Sequence, residues 1–206
     1  MPRPSTDTRE RLLAAAVDYA AEQGLADLSL RTLAAALGTS HRMLIFHFGS
    51  KEGLLVEVVR AVEAQQRALL AELRADPELD PLGQMRALWQ HLTSPALAPY
   101  ERLFFEVYAQ GLLGKEPARR LLDDAVDAWL PPVVDLLTSQ GVPPEDADAE
   151  ARLALAVTRG LLLDLLATGD LDAVGAAMER FTALYLQARP QFAGPAEGAS
   201  GPVARA

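Results

Sequence analysis

The sequence contains no cysteine. This absence excludes disulfide bonds, thiolate metal sites and cysteine nucleophiles, and it agrees with a reducing cytoplasm. Histidine is scarce as well: there are three, and no metal-ligand spacing connects them to acidic side chains. The chain also has no glycine-rich phosphate loop and no nucleophile elbow. We therefore expect neither an enzyme nor a bound cofactor.

Long apolar runs and strand-like alternation are also missing. The first ten residues lack the apolar core of a signal peptide, and the longest apolar stretch, residues 153–167, is interrupted by Arg159 and Asp164. We therefore expect a cytoplasmic protein without a membrane span. Apolar residues recur instead at three- and four-residue steps along most of the chain, which predicts an all-α fold.

The chain carries nine more acidic than basic side chains, which by itself argues against DNA binding. Residues 1–60, however, hold seven basic and seven acidic side chains, so the whole imbalance lies in residues 61–206. A module of balanced charge at the N-terminus can approach DNA while the acidic remainder is repelled. A simpler interpretation, that the acidity aids solubility, stays open.

The most informative pattern lies in residues 28–55. Ser29 is expected to cap a helix, and apolar residues then recur at helical spacing over residues 30–37. Gly38 is expected to end this helix in a left-handed conformation, and Ser40 to cap a second helix almost at once. Two helices joined by such a turn form a helix-turn-helix, whose second helix is a candidate for the major groove of DNA.

The second helix of this motif has two different sides. Leu44 and Phe48, four residues apart, are expected to point inward. The cationic and aromatic residues on or beside the outward side are His41, Arg42, Phe46 and His47. Ser50 is expected to cap the next helix, which places Lys51 in its first turn. A cation there is unfavourable beside the helix dipole unless both meet a DNA phosphate.

Taken together, these residues resemble the DNA-binding domain of the TetR family of transcriptional regulators. The matching residues are Leu33-Ala34, Gly38-Thr39-Ser40, Leu44, His47-Phe48 and Ser50-Lys51-Glu52-Gly53-Leu54-Leu55. The close resemblance covers the first quarter of the chain, and the remainder is compared by architecture only. This sequence departs from the family pattern at Ile45, where the family usually has a tyrosine whose hydroxyl reaches a backbone phosphate. That contact is expected to be missing or supplied by a neighbour.

The resemblance implies a homodimer that binds a palindromic operator, with recognition helices about 34–36 Å apart. Repression follows if the operator overlaps a promoter, and release requires a small-molecule effector that favours the arrangement unable to bind DNA. Arg42 is expected to read a base. The full set of expected DNA-binding residues is Arg31, Thr39, Ser40, His41, Arg42, Met43, Ile45, Phe46, His47 and Lys51.

The chain is divided at its changes of composition. Residues 1–50 form the predicted three-helix DNA-binding domain, residues 51–190 a larger helical domain for effector binding and dimerisation, and residues 191–206 a disordered tail. A long helix over residues 50–73, closed by Ala75-Asp76-Pro77, connects the two domains as a lever or as a rigid spacer. Residues 76–81, with two prolines and three acids, form the strongest boundary signal in the composition. Its later turns are expected to have a polar face formed by Glu63, Gln65, Gln66 and Arg67. Further helices are expected at residues 6–23, 82–93, from 99, from 117 to a kink or restart at Pro131-Pro132, 144–167 and 171–189.

Aromatic residues make up only 6% of the chain, yet six of them lie between residues 89 and 129. They form either an ordinary core or a ligand pocket, and the family resemblance favours the pocket. The candidate pocket residues are Trp89, Arg102, Phe105, Tyr108, Trp129 and Arg159. Such a lining indicates a hydrophobic or aromatic effector. Arg159 and Asp164 are expected to pair with other elements, and Arg159 alternatively to meet an anionic effector.

The last two helices carry more apolar surface than a helix packed on its own chain needs. This excess predicts a dimer interface and resembles the family's dimer, in which the last two helices of each subunit form a four-helix bundle. The candidate interface residues are Leu155, Thr158, Leu162, Leu166, Met178, Phe181 and Tyr185. Burial within one chain is the alternative.

Two other classes of function stay open. A helical ligand-binding or scaffold protein that lacks DNA binding is supported by Ile45 and by the weakly charged first domain. An α-helical enzyme would need a catalytic site that the residues do not show.

Overall fold

The computed structural model describes residues 4–23 and 29–187, and these ranges hold ten α-helices and no β-strand. The all-α prediction is therefore confirmed. The helices are α1 (Pro4–Gln23), α2 (Leu30–Ala36), α3 (His41–Phe48), α4 (Lys51–Ala75), α5 (Pro81–Leu92), α6 (Ala98–Leu112), α7 (Arg119–Ala125), α8 (Leu130–Ser139), α9 (Pro144–Thr168) and α10 (Leu171–Gln187). Outside the described residues lie Gly24, which follows the first expected helix, residues 188–189 of the last expected helix, and the tail.

Serine caps start the three helices that follow α1. The hydroxyls of Ser29, Ser40 and Ser50 each accept a hydrogen bond from the backbone N–H three residues later, at 3.1, 3.2 and 3.0 Å. Each bond satisfies one of the amides left unpaired in a first helical turn, which stabilises a helix by about 1 kcal/mol. The predicted caps are therefore confirmed.

The turn between α2 and α3 closes on a glycine. Gly38 has φ of 62°, a left-handed conformation that suits a residue without a Cβ. Its N–H bonds the carbonyl of Ala35 at 3.2 Å, and the N–H of Thr39 bonds the carbonyl of Ala34 at 2.9 Å. This pair of bonds satisfies the last carbonyls of α2 and sets the direction in which α3 leaves.

A second glycine brings α3 and α4 together. A Cβ at Gly53 would lie 2.1 Å from the carbonyl oxygen of Phe48, so only glycine fits at this position. Leu44 and Phe48 are both buried, as their four-residue spacing predicted. Close packing at this point fixes α3 against the start of α4.

The 25-residue helix α4 runs through both halves of the chain and is about 37 Å long. One continuous hydrophobic cluster joins residues of α1 to α4 with residues of α6 and α7. The helix-turn-helix therefore packs on the rest of the chain through shared apolar side chains.

The expected long helix from Pro117 is interrupted. Helix α7 ends at Ala125 after seven residues, and α8 begins at Leu130. Pro131 and Pro132 lie in the first turn of α8, where a missing N–H leaves no helical bond unmade. Prolines thus restart the helix, and the chain turns between α7 and α8.

Helices α9 and α10 are antiparallel neighbours joined at Gly169, which is left-handed with φ of 72°. Leu162 is only 5% exposed, and Leu155 packs against the cluster of Leu70, Trp129 and Leu136. These two predicted interface residues therefore belong to the interior of the chain. The remaining predicted interface residues, Thr158, Leu166, Met178, Phe181 and Tyr185, are half-buried.

Other apolar side chains on the last two helices remain on the surface of the chain. Leu153, Leu163, Leu171 and Leu184 are each about half exposed. Asp164 is also exposed, in contrast to Arg159. None of the helices in the described part of the chain combines the length and the apolar character that crossing a membrane requires.

Candidate DNA-binding surface and buried polar cluster

The outward side of α3 presents polar, cationic and apolar side chains together. His41, Arg42 and Met43 are exposed in its first turn, and Ile45 follows at 37% exposure. Phe46 is 72% exposed, which is unusual for an aromatic ring without a partner to cover it. This surface has the dimensions and chemistry of a helix that can enter a major groove.

Polar residues flank this surface at helix N-termini. Arg31 is exposed in the first turn of α2, and Ser40 is exposed at the N-cap of α3. Lys51 begins α4 and is half-buried, as is Thr39 in the turn. Backbone N–H groups and the positive ends of helix dipoles meet here, an arrangement that suits phosphate oxygens.

His47 lies on a different side of α3 from the exposed residues. It lines a cleft of about 140 Å³ together with Arg9, Glu57 and Arg120, and its Nε2 is enclosed without a hydrogen-bond partner. Its neighbours belong to α1, α4 and the start of α7. This placement turns His47 toward the body of the protein and away from the exposed residues of α3.

Ion pairs across this cleft connect three helices. Arg9 of α1 pairs with Glu57 of α4 and lies over the ring of Phe48, 5.3 Å from its centroid. Arg60, one turn further along α4, bonds Asp124 at 3.0 Å and the backbone carbonyl of Arg120 at 2.8 Å, both on α7. Helix α1 is therefore connected to α7 through α4.

A second group of polar side chains is buried in the larger half of the chain. The carboxylate of Glu63 on α4 accepts a hydrogen bond from the indole Nε1 of Trp129 at 2.6 Å. Its Oε2 also lies 3.7 Å from Arg159 on α9 and 4.0 Å from Arg67. Burial raises the pKa of Glu63, and the hydrogen bond and the two cations oppose that effect.

Glu101 on α6 is a second buried carboxyl in the same cluster. It is 6% exposed and accepts a hydrogen bond from the side-chain amide of Gln66 at 3.0 Å. Burial raises its pKa to about 7, the negative charge of Glu63 adds to the shift, and Gln66 and Arg159 oppose it. We name the set of Glu63, Gln66, Glu101, Phe104, Trp129 and Arg159 the buried polar cluster.

The cavity at this cluster is small, about 10 Å³, which is roughly the space that one water needs. Its lining residues are Val59, Val62, Glu63, Gln66, Tyr100, Glu101, Leu103 and Phe104. Tyr100 also reaches the first half of the chain, because its hydroxyl donates to the carbonyl of Val17 on α1 at 2.6 Å. Tyr100 therefore connects the cavity at the cluster directly to α1.

Arg159 holds the cluster together from α9. Its side chain is 17% exposed, its guanidinium donates to the carbonyl of Ala125 at the end of α7, and it lies 5.0 Å from the ring centroid of Phe104. Burial lowers the pKa of Arg159, and the charge of Glu63 opposes that effect. The predicted pairing of Arg159 with another element is confirmed. Because Glu63 already neutralises its guanidinium, the positive charge that would attract an anionic effector is balanced within the chain.

The aromatic pocket expected from the sequence is placed only in part. Trp129 and Arg159 meet in the cluster, and Tyr108 is close enough to affect Arg159 electrostatically. Arg102 is exposed on α6, Trp89 is half-buried on α5 away from the cavity, and Phe105 packs edge-on against Phe104. Those three residues do not line the space beside Glu63.

Sequence reasoning missed the carboxyls and the amide of this cluster. It assigned Glu63 and Gln66 to a solvated polar face, whereas both point inward. The signal was available in the spacing, because Gln66 lies four residues after Val62 and four before Leu70, both buried. Polar residues on an apolar helical stripe are the ones that indicate a buried site.

Comparisons with known proteins agree with this geometry. Residues 12–58, which span most of α1, the helix-turn-helix and the start of α4, match the family model for bacterial regulatory proteins of the tetR family. The HTH-type transcriptional regulator BetI of Stenotrophomonas maltophilia is 33% identical over 90 residues, which cover 43% of this chain and 46% of that protein. The chain therefore spans about half the length of this relative.

Solved structures resemble the chain over most of its length. A TetR-family transcriptional regulator from Pectobacterium atrosepticum is 26% identical with a TM-score of 0.68, and the match covers 93% of this chain and 97% of that one. A protein from Saccharomonospora viridis, assigned as a transcriptional regulator and crystallised with choline, is 25% identical with a TM-score of 0.65. That match covers 89% of this chain and 97% of the other.

Proposed function

Because this chain belongs to the TetR family of transcriptional regulators, we propose that it is a repressor that binds a palindromic operator as a homodimer and is released by a small molecule. The observation that carries this proposal is the outward side of α3, which leaves Arg42 and the 72% exposed Phe46 uncovered. Exposing such a ring to water does not stabilise the folded chain, whereas a base edge or a thymine methyl can cover the ring in a complex with DNA.

We propose distinct roles for the exposed residues. Arg42 donates paired hydrogen bonds to a guanine, and Phe46, Met43 and Ile45 supply apolar contact to bases or sugars. His41 lies beside the same groove. Arg31, Thr39, Ser40 and Lys51 hold the DNA backbone and so set the register of α3 without reading sequence.

We propose that the chain has two functional domains with the bounds that the sequence predicts. Residues 1–50 bind DNA in the cytoplasm, and residues 51–190 bind the effector and form the dimer. The half-exposed leucines of α9 and α10, among them Leu163 and Leu184, support a symmetric interface on these helices. Such a dimer would place its two α3 helices about 34–36 Å apart, one turn of DNA.

We propose that the effector binds at the buried polar cluster. One structural relative was crystallised with choline, which supports a small-molecule ligand in proteins of this architecture. The cluster is the place where unusual buried charge, aromatic rings and a connection to α1 through Tyr100 coincide. Buried charged groups with perturbed pKa values are frequent at functional sites.

The test is selection of the purified full-length protein against random duplex DNA at about physiological salt. We expect enrichment of an inverted repeat whose half-sites are about 10 base pairs apart, centre to centre. The Arg42→Ala protein, checked for native helix content, should lose this enrichment. Recovery of no motif by folded wild-type protein would favour the ligand-binding scaffold to which Ile45 points.

A further inference from the structure

Arg159 is held in the manner of a bound ligand. Its guanidinium sits between the carboxylate of Glu63, 3.7 Å away, and the face of Phe104, with its centroid 5.0 Å away. A carboxylate paired with an aromatic face is the combination that selects organic cations in proteins. Here the cation is a side chain of the protein itself, Arg159. It lies on α9, whereas the other members of the buried polar cluster lie elsewhere in the chain.

The cluster has two carboxyl groups, Glu63 and Glu101, and one guanidinium at its centre. Glu101 receives only the neutral amide of Gln66 as a hydrogen-bond donor, and it faces Glu63 and Arg159. Arg67 lies further out, 4.0 Å from Glu63 and 5.7 Å from the ring centroid of Trp129. Because Glu63 is paired with Arg159, an anion or a neutral molecule that displaced the guanidinium would leave a buried carboxylate without its partner, whereas a cation would replace it.

We propose that Arg159 occupies the effector site as an internal substitute, and that the effector is a small organic cation that displaces its guanidinium from Glu63 and Phe104. This inference rests on the proposed function for its regulatory meaning. The size of the cavity supports displacement, because a space of about 10 Å³ admits one water and no organic ligand. Entry of a ligand therefore requires a side chain to leave.

Displacement of Arg159 has a direct structural consequence. Its guanidinium is also the donor to the carbonyl of Ala125, so its departure releases the end of α7 from α9. Helix α7 also packs against α6 and bonds Arg60 of α4, and its start borders the cleft that contains His47. A shift of α7 would therefore alter the packing beside α3, which gives the cation a route to weaken operator binding.

The experiment replaces the internal cation by a free one. The full-length Arg159→Ala protein is titrated by calorimetry with n-propylguanidinium, which contains the guanidinium and the three side-chain carbons of arginine, and with n-propylurea, its uncharged counterpart. We expect the variant to bind the guanidinium on the order of tenfold more tightly than the urea and more tightly than wild type does. Adding Glu63→Gln should abolish the preference for the charged compound.

Controls separate the site from general effects of charge. Arg152→Ala removes an exposed arginine from the same helix and should leave binding as in wild type. If Arg159→Ala is unstable, n-propylguanidinium should raise its melting temperature and n-propylurea should not. Equal binding of both compounds, equal binding of n-propylguanidinium to wild type and variant, or no selective rise in melting temperature would overturn the inference. None of these measurements involves DNA, so a failed operator selection and a failed cation test are distinguishable.

Discussion

Replacing Glu101 by glutamine should remove most of the pH dependence of stability that the buried polar cluster imposes. Glu101 is 6% exposed, and the groups that face it are Gln66, Glu63 and Arg159. Glutamine has nearly the same shape and keeps an oxygen that can accept the hydrogen bond from Gln66. The substitution therefore changes the charge of the site with little change in packing.

The magnitude follows from the pKa. That of Glu101 rises from an ordinary 4.5 to about 7. Below pH 4.5 both the folded and the unfolded chain hold the proton, and between these values only the folded chain does, so the free energy of unfolding falls as pH rises. Each pKa unit corresponds to about 1.4 kcal/mol, so the full loss above pH 7 is about 3 kcal/mol. The raised pKa of Glu63 adds a loss of the same sign that remains in the variant.

Urea denaturation followed by circular dichroism, from pH 4 to pH 8.5, measures this effect. The wild-type protein should lose stability across the range, and Glu101→Gln should be flatter and more stable than wild type at the alkaline end. Glu106→Gln, on the exposed side of the same helix, is the matched control and should follow wild type. A Glu101→Gln curve parallel to that of wild type would refute the assignment of this carboxyl as the source.

Four further changes test other parts of the structure. Ser40→Ala removes the cap of α3 and should lower the free energy of unfolding by about 1 kcal/mol in the same assay. Gly53→Ala brings a Cβ within 2.1 Å of the Phe48 carbonyl and should destabilise the fold by about 1–3 kcal/mol, whereas an unchanged midpoint would show that α3 and α4 separate easily. Arg42→Ala should weaken binding to the selected operator by about 1–3 kcal/mol in fluorescence anisotropy, and an equal loss on random DNA would mean a phosphate contact instead. Leu163→Asp places a charge on the proposed dimer face and should yield a monomer in light scattering, with its helix content retained.

Local rules were sufficient for the helix-turn-helix. Caps, the glycine turn and the inward pair Leu44 and Phe48 depend on residues within four positions of one another, so the printed order of residues decides them. The same holds for the restart of the helix at Pro131-Pro132, because the prolines act on their own turn. Fold class and the architecture of the first half were therefore within reach before any coordinates.

The buried polar cluster was decided by tertiary packing. Glu63 meets an indole 66 residues further along the chain and a guanidinium on α9, and no local rule connects those helices. The same charged residue types stand elsewhere on solvated faces, and His47 lines a cleft together with residues of α1, α4 and α7. Spacing along a helix determines which side chains share a face. The neighbour that covers the face depends on how distant helices pack, and here that neighbour determines whether a carboxylate is solvated or buried in the polar cluster.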